Sequence, residues 1–287
     1  MTTTTDFLAE RRTGIGGSDI AAICGRSKWK TPLDVWREKV LEGTPIEESE
    51  PMKWGTLLEP AIRREAGKRL HKKVRGPMFV RDGIHLGHLD GLVGDDVLEV
   101  KTARSDDDWG EEGTDEIPDA YLAQVQWYLG LTKRPMAHVA VLFGGSDFRL
   151  YHVAPAPQVI AALQFAADNF WQTNVLTKTP PEPSSLADAK KLWHRAVEGK
   201  SLPITAAALE AMEKLEAMKE RAKGLQQDID TQQMILRCQI GEAEALIDSE
   251  GNPLVTLKNQ TVSEYLVPAR EQRVLRLTKH WTKRNNK

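Results

Sequence analysis

Apolar positions in the first part of the chain switch between a period near two and a period near 3.6. Short runs rich in β-branched and apolar residues, each bounded by Gly, Asp or Pro, predict strands over residues 78–80, 85–93, 97–102, 137–143 and 148–153. Helical spacing predicts helices over 19–24, 32–41, 54–70, 118–131 and 158–173. Helices on both sides of a run of strands predict an α/β or α+β architecture. Pro180, Pro181 and Pro183 form a stiff stretch that predicts a boundary between a first domain, 1–180, and a C-terminal extension, 181–287. From Ile204 to Leu246 breakers are almost absent, and Leu209, Met212, Leu215, Met218, Ala222, Leu225, Ile229, Leu236 and Ile240 recur at helical spacing. This predicts one long helix, or a helical hairpin broken near Gly224, with a narrow apolar seam to bury. A β-hairpin turning at Glu250-Gly251-Asn252-Pro253 is predicted next. From Arg270 onward the charge is basic, with Glu271 the single acid.

Composition narrows the function classes. With 39 Lys+Arg against 41 Asp+Glu in 287 residues, a formal net charge of -2 argues against a histone-like or tail-driven nucleic-acid binder, and leaves room for local basic patches. A hydrophobic content of 40% suffices for a core without disulfide staples. Cys24 and Cys238 show no CxxC spacing, which excludes a zinc ribbon and fits a reducing, cytoplasmic compartment. The N-terminal MTTTTDFLAE has no basic and apolar leader pattern, and no apolar run reaches the length of a membrane span. A soluble protein with no membrane partner is expected.

The densest chemistry lies in GHLDGLVGDDVLEVKT, residues 87–102. Gly94-Asp95 suits a two-residue type II′ loop, and that turn sets Asp90 opposite Glu99 and His88 opposite Lys101. Alternation then sends Leu89, Val93, Leu98 and Val100 to an apolar face, and His88, Asp90, Glu99 and Lys101 to the other. Two carboxylates roughly 5 Å apart across a strand pair repel each other. A divalent cation turns that repulsion into coordination, and hard oxygen donors, Asp90, Glu99 and the Val100 carbonyl, suit Mg²⁺ or Mn²⁺ better than zinc. Lys101 then stands beside the metal, where an ammonium can orient a water, help to deprotonate it, or steady charge on a phosphate. A surface hairpin with a solvated polar face has the same pattern, so these residues alone leave both readings open.

Elsewhere, Gly16 and Gly17 permit close approach of the backbone to a ligand, and Ser18 predicts an N-cap for a short helix beginning at Asp19. The basic stretch from Arg63 to Arg75 suits a phosphate backbone, or a solvated helix face. The acidic run from Asp106 to Glu116 predicts a mobile loop that cannot favour DNA.

Asp90 followed by Glu99-Val100-Lys101 resembles the D…(D/E)xK core of the restriction-endonuclease-like PD-(D/E)XK nucleases, with Leu89 where the signature has Pro. Three further blocks accompany it in order: RRTGIGGSDIAAICG at 11–25, WGTLLEP at 54–60 with a Gly-xxx-Glu helix, and AQVQWYLGLT at 123–132 with a Gln-xxx-Tyr helix. Together they resemble the YqaJ-type phage recombinases, relatives of lambda exonuclease.

That resemblance implies a restriction-endonuclease-like core, a mixed central β-sheet flanked by helices, carrying the helical C-terminal extension and hairpin. It implies that Asp90 and Glu99 ligate Mg²⁺ directly, that Glu59 approaches from its helix through a water, and that Lys101 serves the nucleophile. Gln124 would lie by the active site with Tyr128 supporting it; read alone, Glu59 is a solvated helix residue and Tyr128 is partly buried against the sheet. Arg11 and Ser18 match positions that grip the 5′-phosphate of the digested strand, and adjacent Arg12 is an alternative to Arg11. The implied activity is Mg²⁺-dependent 5′ to 3′ digestion of linear double-stranded DNA, leaving 3′ single strands for recombination beside a single-strand annealing protein. Some relatives form trimeric rings. Two other readings stay open: an endonuclease or single-strand nuclease of this fold, and a non-catalytic DNA-binding or assembly protein organised by the long helix.

Overall fold

A computed structural model describes residues 9–41, 49–261 and 274–276. The chain divides into two units, Met1–Leu192 and Trp193–Lys287. In the first, a helical turn at residues 9–12 leads into α1 (Gly17–Ile23), α2 (Pro32–Val40) and α3 (Glu50–Arg69). Strands β1 (Val74–Arg75), β2 (Met78–Asp82), β3 (His85–Leu89), β4 (Gly91–Val93) and β5 (Asp96–Ala103) follow. Then come α4 (Asp119–Thr132), β6 (Ala137–Phe143), β7 (Asp147–Val153), α5 (Pro157–Phe170) with a π-helical continuation Trp171–Val175, and α6 (Leu186–Leu192).

Five strands form one mixed sheet in the order β1-β4-β5-β6-β7, with β5 and β6 parallel and the other neighbours antiparallel. A parallel pair needs a long crossover, and α4 supplies it. Alternation along β5 serves two cores: Val97 belongs to the one that includes Ile20, Leu33, Val125 and Trp127, while Leu98 and Val100 belong to the one that includes Ile62 and Ala66 of α3. This is the mixed sheet flanked by helices that the family resemblance implies. Because α4 is enclosed by the sheet, α1 and α5, its sequence is apolar nearly all round. Gln126 is an exception: it bridges Ala154 O (2.8 Å) and Ala156 N (2.9 Å), satisfying a loop backbone.

The turn chemistry at Gly94-Asp95 sets the register. Gly91 pairs with Leu98, Leu92 with Val97 and Val93 with Asp96. Gly94 has φ +60°, a left-handed conformation that costs glycine little. The predicted strand 85–93 breaks at Asp90, however. The Asp90 carboxylate accepts a hydrogen bond from Val100 N at 2.7 Å, and its carbonyl accepts one from Arg63 Nη1 at 2.6 Å. Its polar groups are thus engaged outside the ladder, and the bend resets the alternation. Leu89 joins the core under α1 and α4, Val93 the core under α3, so they do not share a face. Beyond the bend β3 turns to β2 in a separate ribbon, where His88 faces Phe79 rather than Lys101.

The first unit continues past the prolines to Leu192. Asp188 of α6 is fully buried and accepts hydrogen bonds from Thr31 Oγ1 and Ser184 Oγ, both at 2.9 Å, and Lys191 is ion-paired with Asp34. The acidic run is also tied down: Asp106 bonds Arg149, Asp108 bonds Lys28, and Glu112 accepts from Leu150 N. Where the sequence predicts a mobile loop, strand β7 and the α1–α2 connection give its acids partners.

In the second unit α7 (Ala206–Ile240) is one unbroken 35-residue helix, capped by Thr205 and ended by Gly241. Its seam residues Met218, Leu225 and Ile229 are exposed. β8 (Ala245–Ile247) and β9 (Pro253–Thr256) form the predicted hairpin. Of the basic segment from Arg270 onward, only 274–276 lies within the described residues. No helix among the described residues is long and apolar enough to cross a membrane.

Candidate active site

The register that brings Asp90 beside Glu99 also turns Glu99 and Lys101 toward α4. Glu99 is 1% exposed. Its Oε1 accepts from Lys101 Nζ (2.6 Å) and from Gln124 Nε2 (2.7 Å), while Gln124 Nε2 also donates to Tyr128 OH (3.0 Å) and Gln124 Oε1 lies 3.3 Å from Lys101 Nζ. Lys101 Nζ sits 4.9 Å from the Tyr121 ring centre. The i, i+4 spacing of Gln124 and Tyr128 places both on the α4 face toward β5. The polar face of the hairpin is therefore covered, not solvated, and Tyr128 is buried with its hydroxyl satisfied by Gln124.

Glu59 enters from α3, paired with Arg63 at 3.3 Å, and Arg63 in turn holds the Asp90 carbonyl. Val100 donates its N–H to Asp90, and since N–H and C=O of one strand residue project to the same edge, its carbonyl also faces the gap where β4 ends. A wide cleft of about 1380 Å³ opens on Asp90, Glu99, Lys101, Glu59 and Gln124 and runs to Arg11 and Ser18.

The electrostatics of this group are unsettled. Burial and the neighbouring Asp90 push the Glu99 carboxyl up to about 8, against the pull of Lys101. Burial likewise raises Asp90, opposed by Lys101, the Val100 N–H and Arg63. Burial and Asp90 raise Glu59. Burial lowers the Lys101 pKa, but Glu99 and Asp90 outweigh it and the net shift is upward, so the side chain is an ammonium. Glu99 Oε2 is buried and has no hydrogen-bond partner among the described residues. An orphaned carboxylate oxygen beside a second carboxylate is costly alone and is the arrangement a divalent cation relieves. Among the described residues no three His, Cys, Asp or Glu side chains are gathered so as to hold a metal ion between them.

At the other end of the cleft Arg11 Nη2 lies 3.4 Å from Ser18 Oγ and 3.1 Å from Asp19 Oδ1. Arg12 is exposed, so Arg11 is the arginine turned to Ser18. Asp19 is fully buried; its Oδ2 accepts from Lys39 Nζ (2.6 Å) and Gly16 N (3.1 Å), and Lys30 lies 3.5 Å from Oδ1. Lys39 Nζ also donates to Arg11 O at 2.6 Å. Burial pushes the Asp19 carboxyl up, but Lys39, Arg11 and Lys30 together hold it well below the usual carboxylate range.

Three expectations change here. The N-cap of α1 is Gly16, whose amide is satisfied by the Asp19 carboxylate, leaving the Ser18 hydroxyl inside the helix to face Arg11. Gly17 admits α4 instead of a ligand: a Cβ there would lie 2.8 Å from Gln124 Cγ and from the Tyr128 ring. His88 leaves the carboxylate face, bonds Glu10 at 3.0 Å, and lines a cavity of about 110 Å³ with Arg11, Ser18 and Tyr128. Of the basic stretch, Lys68 and Arg69 pair with Glu65, and Lys72 with Asp96. Sequence reasoning missed Lys39 and Tyr121. Lys39 reads as an ordinary solvated helix lysine, and Tyr121 precedes the Gln-xxx-Tyr pair without belonging to it.

Residues 6–135 match the YqaJ-like viral recombinase domain. The uncharacterized protein YqaJ of Bacillus subtilis (strain 168) is 32% identical over 255 residues, which is 83% of this chain and 79% of that one. Among solved structures, a candidate exonuclease from Eubacterium rectale has the same fold, with TM-score 0.51, 11% identity, and coverage of 73% of this chain and 98% of its own. An alkaline exonuclease from Laribacter hongkongensis aligns with TM-score 0.48 and 15% identity, covering 61% of this chain and 94% of its own. With the matched blocks folded around one acidic pair and identity sustained along most of both sequences, this chain belongs to the family of YqaJ-like viral recombinases.

Proposed function

We propose that the protein is a Mg²⁺-dependent deoxyribonuclease that digests linear double-stranded DNA from 5′ to 3′ and leaves 3′ single strands for recombination. One observation carries the reading: the unpartnered Glu99 Oε2, buried beside Asp90 and next to the Lys101 ammonium, on a cleft open to Arg11 and Ser18. Asp90, Glu99 and the Val100 carbonyl would hold Mg²⁺, or Mn²⁺ in its place, with Glu59 behind them, and the cation supplies Lewis-acid neutralisation of charge at the scissile phosphate.

The protein's own groups do the rest. Lys101, fixed by Glu99 and Gln124, orients the attacking water and stabilises charge developing on the phosphate. Glu59, partly exposed to the cleft, accepts the proton that water gives up. Arg11 and Ser18 take the 5′-phosphate, so the distance from anchor to Lys101 selects the bond. Water adds to phosphorus, the bond from phosphorus to the 3′ oxygen of the terminal nucleotide breaks, and that oxygen leaves as a hydroxyl after protonation. Each cut leaves a new 5′-phosphate for the same anchor. The 3′ strand that accumulates is what a single-strand annealing protein binds, and such a protein is the partner this product calls for.

The test uses 5′-phosphorylated linear, 5′-hydroxyl linear and covalently closed circular duplex DNA, with Mg²⁺ and with chelator. The expected result is rapid loss of the phosphorylated linear DNA alone, abolished by chelator and reduced at least ~10²-fold by Lys101→Ala. Cutting of the circle would overturn the exonuclease reading in favour of an endonuclease, and absence of cutting everywhere would leave a DNA-binding module.

A further inference from the structure

We infer that Trp29 is a stacking platform for an unpaired nucleobase of the DNA strand held in the cleft, an inference that rests on the nuclease reading above. Trp29 lies between α1 and α2 on the wall of the cleft that reaches Glu99 and Lys101. It is 67% exposed, an unusual position for so large an apolar ring. The residue is nonetheless held in place. The N–H groups of Trp29 and Lys30 both donate to Ser27 Oγ at 3.2 Å. The indole is stacked on Tyr121, with centroids 5.7 Å apart and planes 26° apart. Tyr121 is itself supported by Trp109 at 5.6 Å and by Lys101 Nζ at 4.9 Å. A column of Lys101, Tyr121 and Trp29 thus leads outward from the candidate catalytic lysine and ends in an exposed ring.

The surrounding charges indicate which part of a nucleotide this ring would take. Arg26 is paired with Asp119, Lys28 with Asp108, and Lys30 with Glu38. With its basic neighbours neutralised, the Trp29 surface offers a flat aromatic contact and little net attraction for phosphate. A base fits it, and stacking of this kind tolerates any of the four bases because each has a π face. Inside a duplex both faces of a base are covered by its neighbours, so the occupant is a base freed at the strand end. Trp29 stands two ring contacts from Lys101, which at a rise of about 3.4 Å per nucleotide places that base within about three nucleotides of the bond to be cut.

The experiment places 2-aminopurine at each of the first three positions, or at an internal paired position, of 5′-phosphorylated oligonucleotides. Fluorescence and anisotropy are followed with full-length wild type, Trp29→Ala and Trp29→Phe, in chelator so that nothing is cut. Wild type and Trp29→Phe are expected to quench one of the three terminal positions. In Trp29→Ala the quenching disappears, and affinity for single strands falls about 5- to 150-fold. Unchanged quenching in Trp29→Ala overturns the inference, including the case in which that variant alters only self-association in sedimentation. If wild type binds no DNA at all, the nuclease reading falls with it. If DNA is bound and cut as proposed while the quenching survives Trp29→Ala, the platform alone is wrong.

Discussion

Two lysine–carboxylate contacts have the same length, 2.6 Å: Lys101–Glu99, which lines the cleft, and Lys39–Asp19, buried behind the Arg11 and Ser18 that line it farther along. Both acids are buried, at 0% and 1% exposure. Their surroundings are opposite. Asp19 has three cations and the Gly16 amide around it, and each of its oxygens is engaged. Glu99 has one cation, two acidic neighbours, and one oxygen with no partner. Burial raises the pKa of either acid; at Asp19 the partners reverse it, and at Glu99 the Asp90 charge adds to it. Asp19 is therefore a closed structural joint that fixes Arg11 and α1, whereas Glu99 is an incomplete site.

Breaking the two pairs should separate them most sharply. Lys39→Ala leaves the Asp19 charge buried with fewer partners and should cost ~3–5 kcal/mol in urea unfolding. Lys101→Ala leaves Glu99, already pushed up to about 8, able to shed its charge by taking a proton, so it should cost less stability than Lys39→Ala while reducing nuclease activity at least ~10²-fold. Equal losses of stability would erase the distinction. Next in size, Mg²⁺ in chelator-treated protein should stabilise by about 2.7 kcal/mol at a hundredfold excess over its dissociation constant, read as a thermal shift. Asp90→Asn should lose that shift and Arg11→Ala should keep it.

Gly17→Ala joins the two pairs, because its methyl would press on Gln124 and Tyr128, which hold Glu99 in place. A loss of ~1–3 kcal/mol with reduced turnover is expected; full activity would show that Gln124 tolerates displacement. The smallest effect is in acid. Because the folded Asp19 pKa lies below its unfolded value near 3.8, its contribution is present above that pH and is lost as pH falls through the folded value. Urea titrations near pH 3 should show unfolding take up about one more proton in wild type than in Asp19→Asn.

The hairpin register was legible because it depends on neighbours in sequence: a glycine able to take positive φ, then strict alternation. Extending that register to His88 and Leu89 failed at Asp90, whose bend is held by Arg63 from α3 and by the Val100 amide. Gly224 was no break, since one glycine costs about 1 kcal/mol and the rest of the 35-residue helix absorbs it. Asp19 and Lys39 look like surface residues of short helices, and twenty positions separate them. Nothing periodic marks the contact between Trp29 and Tyr121.

Local chemistry in the chain thus settled most of the strands, the main helices, the hairpin turn and the proximity of Asp90 to Glu99, because turns and periodicities act over a few residues. Folding in three dimensions decided which carboxylate is closed and which is open. Burial strips water from both acids alike, and the partners that then decide their charge, Lys39 and Lys30 for one and Asp90, Gln124 and Lys101 for the other, are assembled from separate helices and strands.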